Sequence, residues 1–321
     1  MSVPRRVTIE QIAVALGLSK STVSMALREH PRIGCETRER VRRQADVMGY
    51  RPHPYVQALM HQVHGGRPAP APLIAAIDVD GHAAVSGMVQ ALVQGAREHA
   101  LRIGYRLEHR AVTSDPGDAV ALHDWLQERG ILGILLLPMR LSSQLILPWQ
   151  QYACVMIGRA HPTMIMHRIN PDHYANMQLL LEHLPDCGIQ RPALVVPSEA
   201  EERLQRRRIA AFLASDYRPP RCHIHQFGSD RSLLRWFDRH RPDGLITVAG
   251  SHVRGLLAGR LASERIFDSS LKPGARGSGL DPRYDTIASV AIDQLAGLLA
   301  RNDIGPPLVP VHLDVAGRWR T

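Results

Sequence analysis

The chain has 321 residues with 45% hydrophobic and 21% charged content, a globular composition that excludes wholesale disorder. Its formal net charge is +9, which favours a polyanionic partner such as nucleic acid. No apolar run is long enough for a bilayer span, and four scattered cysteines without a CxxC pair argue against a disulfide framework.

The charge is concentrated at the start. Residues 1–62 hold ten Lys and Arg against five acids, which is +5 in about a fifth of the chain. The opening residues, MSVPRRVTIEQ, lack the apolar core of a secretory signal, so a cytoplasmic location with free thiols is expected.

Thr8 and Gln11 have the spacing of a capping box, and Ile9, Ile12, Ala13 and Leu16 recur on one helical face. Gly17 ends that helix. Ser19 caps a second from Lys20 to about Arg28, with Val23, Ala26 and Leu27 inward. Two short helices around a Gly turn read as a helix-turn-helix. Ser21, Met25 and Arg28 share a face of the second helix, with Lys20 at its start. Hydroxyls at Ser19, Ser21, Thr22 and Ser24 suit phosphate oxygens or base edges. Taken alone, this pattern fits DNA reading and plain helix packing about equally well.

After His30-Pro31 a third helix is predicted from about Cys35 or Glu36 to Met48, with Val41, Ala45 and Met48 inward. Tyr50-Arg51-Pro52-His53-Pro54 follows, and Pro54 opens a short helix from Tyr55 to about His61. HQVHGGRPAPAP (61–72) reads as an extended, semi-rigid linker.

The order V-T-I-x-x-I-A-x-x-x-G-L-S-x-S-T-V-S, then T-R-E-R-V, then G-Y-R-P and a helix ending A-L resembles the LacI/GalR family of bacterial transcription repressors. The match is dense over Val7–Leu59 and pairs a helix-turn-helix with a hinge helix. The resemblance implies that Lys20, Ser21 and Met25 face base edges, and that Ser19, Thr22 and Ser24 hold phosphates. Leu59 would wedge into the minor groove at the operator centre, with Thr8, Arg28, Tyr50 and Ala58 completing the DNA-binding set. Two departures stand out. Met25 replaces a residue that is often polar, and Gly34 stands where Ser usually caps the third helix.

From Leu73 strands and helices alternate: strands at 73–78, 105–112, 131–138, 152–158, 191–197, 222–227 and 243–249. Helices are predicted at 85–101, 118–129, 172–184, 200–214, 230–240 and 251–262. Alternation of this kind argues for parallel sheets covered on both faces. The expected fold is α/β: an all-α headpiece (1–50), a hinge helix and Pro-rich linker (51–72), and an effector-binding and dimerisation domain (73–321). By the resemblance, that last domain has two doubly wound subdomains like a periplasmic sugar-binding protein, with an effector in the cleft.

Candidate effector residues are Asp78, Asp80 and His82 after the first strand, Arg208, Ser251 and Asp281. Arg208 matches the family's R-x-x-G-F position, although Ala211 replaces the Gly. Gly250-Ser251 falls where the family usually has Asn-Asp, and Gly279-Leu280-Asp281 resembles its G-[FY]-D element. The missing carboxylate at Ser251 makes an ordinary sugar effector less suited. The effector is expected to be atypical, carboxylated through Arg208, or absent.

Asp78-x-Asp80-x-His82 and Cys222-His223-x-His225 are the metal-like clusters, but neither has a second pair at ligand spacing. No GxSxG elbow, P-loop or GxGxxG fingerprint is present. No enzyme activity, catalytic residue, cofactor or metal is therefore expected. The predicted partners are a pseudo-palindromic double-stranded DNA operator, a small-molecule effector of unknown identity and a second copy in a homodimer, with no membrane. A diverged DNA-binding protein whose large domain only dimerises is the alternative.

Overall fold

The computed structural model describes residues 7–27, 30, 32–48, 50, 71–81, 86–140, 142–159, 163–217, 223–275 and 277–321. The expected hinge helix, with Ala58 and Leu59, lies outside them, as do Arg28, His82 and Cys222. The chain divides into two compact units, Met1–Pro70 and Ala71–Thr321.

The first unit contains α1 (Ile9–Leu16), α2 (Lys20–Leu27) and α3 (Cys35–Met48). Both halves of the capping box form: the Gln11 N–H donates to Thr8 Oγ1 at 3.3 Å, and the Thr8 N–H donates to Gln11 Oε1 at 2.9 Å. Gly17 closes α1 in the left-handed region, at φ 64°. Ile12, Ala13, Val23, Ala26, Val41 and Ala45 form the core, two from each helix. Ile9, Leu16, Leu27, Met48 and Tyr50 pack around it.

The second unit holds two six-stranded sheets. In chain order it runs β1 (Leu73–Val79), α4 (Gly87–Arg102), β2 (Arg106–Val112), α5 (Pro116–Glu128), β3 (Gly133–Leu136), β4 (Ala153–Ile157) and β5 (His167–Pro171). Then come α6 (His173–His183), β6 (Pro192–Pro197), α7 (Ser198–Arg203), α8 (Arg207–Leu213), β7 (Ile224–Phe227), α9 (Asp230–His240) and β8 (Gly244–Thr247). The chain finishes with α10 (Gly250–Leu256), β9 (Ile266–Asp268), β10 (Gly279–Asp281), α11 (Tyr284–Arg301), β11 (His312–Val315) and β12 (Arg318–Arg320). The first sheet is ordered β11-β5-β4-β3-β1-β2 and is parallel throughout. The second is ordered β12-β10-β9-β8-β6-β7, with only β12 antiparallel.

The chain passes between the sheets three times: after β5, after β10 and between β11 and β12. These crossings are tied together. Asp172 caps α6 through the Ala175 N–H, and its own N–H donates to the Val315 carbonyl at 2.8 Å. The Gly317 N–H donates to Asn176 Oδ1 at 2.7 Å. A side chain at 317 would collide with the Asp281 carbonyl, so only Gly fits where these segments meet.

The helix predicted over 200–214 is two helices. Gln205 and Arg206 both take left-handed backbone, at φ 54° and 59°, and break it. Neither residue is a usual turn former, so the sequence carried no stop signal there. The helix predicted over 251–262 ends at Leu256. No helix among the described residues is long and apolar enough to cross a membrane.

Candidate nucleic-acid interface and ligand cleft

In the headpiece, Ser19 is turned into the start of α2: the Thr22 N–H donates to its Oγ at 3.1 Å. That oxygen also lies 2.8 Å from both Ser21 Oγ and Thr22 Oγ1, so the hydroxyls form a cluster at the helix start. Thr8, Ser19, Lys20 and Ser21 are exposed, and Thr22, Ser24, Met25 and Tyr50 are half-buried. Lys20 Nζ rests 2.7 Å from Glu10 Oε1, with both side chains more than half exposed, at 62% and 61%. A pair this wet is readily exchanged for a phosphate or base contact. Arg42 and Arg43 on α3 are also exposed.

The second unit contains a cavity of about 410 Å³. Its lining comes from the ends of β3, β4, β8 and β9, as open α/β sheets dictate, and from α4, β5, α8, α11 and β11. Met88, Leu92, Met139, Ile157, Val248 and Ile287 supply its apolar surface. Arg159, Arg168, Arg207, Arg208, Lys272, His173 and His312 supply its charge and its titratable rings. Burial and the neighbouring Arg159 hold the Arg168 guanidinium below its usual range. Burial, then Arg168, lowers His312; Asp314 works the other way, and Arg207 and Arg159 add to the lowering.

Of the expected effector residues, Arg208 alone lines this cavity among the described residues. It is 5% exposed, and its Nε–H donates to Glu201 Oε1 at 2.7 Å. Asp78 is buried in β1, with His109 Nε2 3.8 Å from its carboxylate. Asp80 instead anchors neighbouring loops, accepting from Ser114 and Ser143. Ser251 is exposed on α10. Asp281 receives the Arg283 N–H at 2.9 Å and the Arg318 guanidinium at 2.9–3.0 Å.

At Gly250 the position of a missing side chain is filled by the Asp268 carboxylate. It accepts the Gly250 N–H at 2.9 Å and an Arg254 N–H at 3.0 Å. Sequence reasoning missed Arg168, Lys272, Arg207 and Tyr284 as cavity residues. Lys272 carried a signal, being one of only two lysines in an Arg-rich chain.

Among the described residues, no group of three His, Cys, Asp or Glu side chains converges as a metal site. His223 Nδ1 lies 3.1 Å from the Pro192 carbonyl, and His225 stacks on Trp236 with ring centroids 5.1 Å apart.

The profile of "Bacterial regulatory proteins, lacI family" matches residues 8–53, the same segment that builds the three-helix core. The chain carries a lacI-family headpiece. It is 37% identical over 93 residues to the HTH-type transcriptional regulator AglR of Rhizobium meliloti (strain 1021), a stretch that covers 29% of this chain and 26% of that relative. The chain therefore spans about a quarter of that relative's length.

The fold extends further than the sequence identity. The transcriptional regulator CelR, solved as a cellobiose complex, superposes with a TM-score of 0.58 at 16% identity, over 98% of this chain and 99% of that one. The lac repressor dimer bound to operator and the anti-inducer ONPF gives 0.57 at 16% identity, over 99% and 98%. CcpA of Lactococcus lactis gives 0.59 at 14% identity, over 78% and 98%. This chain therefore shares the lacI-type architecture of a headpiece followed by two parallel-sheet subdomains.

Proposed function

We propose that this protein is a cytoplasmic, non-catalytic, sequence-specific transcriptional repressor that binds a pseudo-palindromic operator as a homodimer. A small molecule in the cleft of residues 73–321 would set its operator affinity. One observation carries the reading: a lacI-type helix pair with exposed Ser19, Lys20 and Ser21 belongs to the same chain as a two-sheet unit with a large cleft. Lys20, Ser21 and Met25 would read base edges, while Ser19, Thr22 and Ser24 hold the backbone. Thr8, Arg28, Tyr50, Ala58 and Leu59 would complete the contact set, with Leu59 as the minor-groove wedge.

The cavity favours an effector-responsive regulator over a domain that only dimerises. The chain crosses the cleft at three tied segments, so a ligand touching both sheets can bias their relative arrangement. Genomic footprinting of bound sites tests the reading. Recurrent pseudo-palindromes upstream of genes are expected, and recovery of random sites alone would defeat it.

A further inference from the structure

The two walls of the cleft face each other with the same sign of charge. Arg159, Arg168 and His312 come from the first sheet and its loops, and Arg207, Arg208 and Lys272 from the second. Among the described lining residues there is no Asp or Glu. Glu201 pairs with Arg208 on the second sheet's side, and Asp314 on β11 of the first sheet pairs with Arg207 at 3.1 Å.

Arg168 gives one N–H to the Met164 carbonyl at 3.2 Å, while its buried Nε has no hydrogen-bond partner. A buried donor without an acceptor is costly, and a guanidinium that lines a cavity is a strong, directional donor to an oxyanion.

The kind of hydrogen bond on offer narrows the ligand class. Arg and Lys side chains donate and do not accept. A neutral polyol needs acceptors for its hydroxyl protons; the described lining offers Ser86, Asn170, Gln205, Ser270, Tyr284, His173 and His312, but no carboxylate. Among the described lining residues there is no Trp or Phe, and Tyr284 is buried with its hydroxyl 3.0 Å from Ser270 Oγ.

We propose that the cleft binds an anionic metabolite, a carboxylate or phosphate ester, whose charged group bridges Arg168 on the first sheet to Lys272 and Arg207 on the second. Its uncharged part would lie on the Met88, Leu92 and Ile157 side. This assignment rests on the cleft being the effector site of the proposed regulator, and it adds what the effector is made of. It also supplies a mechanism for coupling. The Arg207–Asp314 pair already joins the two walls; an anion shared by Arg168 and Lys272 adds a second attraction between them, and the arrangement that brings the sheets closer is favoured.

The two lysines make the test clean, because Lys20 lies in the headpiece and Lys272 in the cleft. The full chain labelled with [ε-13C]lysine gives two side-chain resonances, assigned with Lys272→Arg. Galactose, galacturonate, galactose 6-phosphate and inorganic phosphate are the ligand probes, with a duplex of generic sequence at low salt as the DNA probe. The Lys272 resonance is expected to move with galacturonate or with the phosphates, the two arms separating carboxylate from phosphate recognition.

Loss of one charge-assisted contact in Arg168→Gln should weaken that binding roughly tenfold. The assignment falls if galactose moves Lys272 as strongly as the anions do, if no anion moves it at millimolar concentration, or if Arg168→Gln binds the anion unchanged. Failure of the DNA duplex to move Lys20 would instead undercut the regulator reading and leave the anion site standing.

Discussion

Glu201 and Arg208, seven residues apart on successive short helices, meet at 2.7 Å with side chains 0% and 6% exposed. The Gln205 and Arg206 backbone breaks the helix between them and turns α8 back so that the two groups can join. The pair thereby fixes one wall of the cleft. Glu201→Ala should remove the buried carboxylate to which the Arg208 Nε–H donates and destabilise the protein by about 3–5 kcal/mol. Glu201→Leu combined with Arg208→Met should recover most of that loss, because the desolvation cost disappears with both charges. Urea denaturation of the two variants checks this. A double variant as unstable as the single one would show that the pair matters through packing alone.

Lys20 offers a separate handle on the headpiece. Its pairing with Glu10 is exposed, so Lys20→Gln should change unfolding free energy by less than about 1 kcal/mol. Affinity for a footprinted operator should nevertheless fall by roughly 1–3 kcal/mol, with relaxed preference at one base position. Binding titrations on the operator and on its single-base variants provide the measurement. Equal loss on every sequence would reassign Lys20 from base reading to a phosphate contact.

The headpiece was legible because its signals are local. Thr8 and Gln11 are three residues apart, and the apolar spacing in α1, α2 and α3 selected the residues that form the core. Most strands of the second unit were legible as short apolar runs between helices. The expected alternation passes over β5, whose HRINP carries no apolar run, and stops at 262, so β5, β9, α11, β11 and β12 lie outside it, although α11 repeats apolar residues from Ile287 to Leu299 at helical spacing. The cleft was the least legible part. Asp78 and Asp80 stood at the expected strand end, but the backbone turns left-handed at Asp80, φ 69°, and both carboxylates are engaged elsewhere. Arg168 and Lys272 become neighbours of one cavity only when two sheets built from distant segments are brought together, and no local spacing encodes that.

Gly250 shows how one departure from a family pattern is absorbed. The Asp268 carboxylate fills the space a β-carbon would need, and it is held by the Gly250 N–H and by Arg254. Gly250→Ala should force that buried carboxylate aside and destabilise the domain by about 1–3 kcal/mol. Gly250→Ala made together with Asp268→Ala should lose less than the two single changes summed, since the collision is gone. Chemical denaturation of this mutant cycle tests it, and strict additivity would count against the clash.

Acid should weaken the fold through His167. Burial holds this imidazole below its ordinary value of 6.5, and the Val311 N–H donates to its Nδ1 at 3.1 Å, an acceptor that protonation removes. Asp303 opposes the shift, while Arg301 and His312 add to it. His225 and His312 are lowered as well, in both cases by burial first. Below 6.5 the unfolded chain binds protons that the folded chain resists, so stability falls as pH drops. This contribution is complete above 6.5 and is lost progressively on the acid side until the folded-state value is passed. The urea midpoint should therefore be lower at about pH 5.5 than at about pH 7.5. His167→Asn keeps an acceptor for Val311 but cannot be protonated, so it should flatten that dependence and leave a remainder from His225 and His312. An equally steep dependence in the variant would place the acid sensitivity elsewhere in the chain.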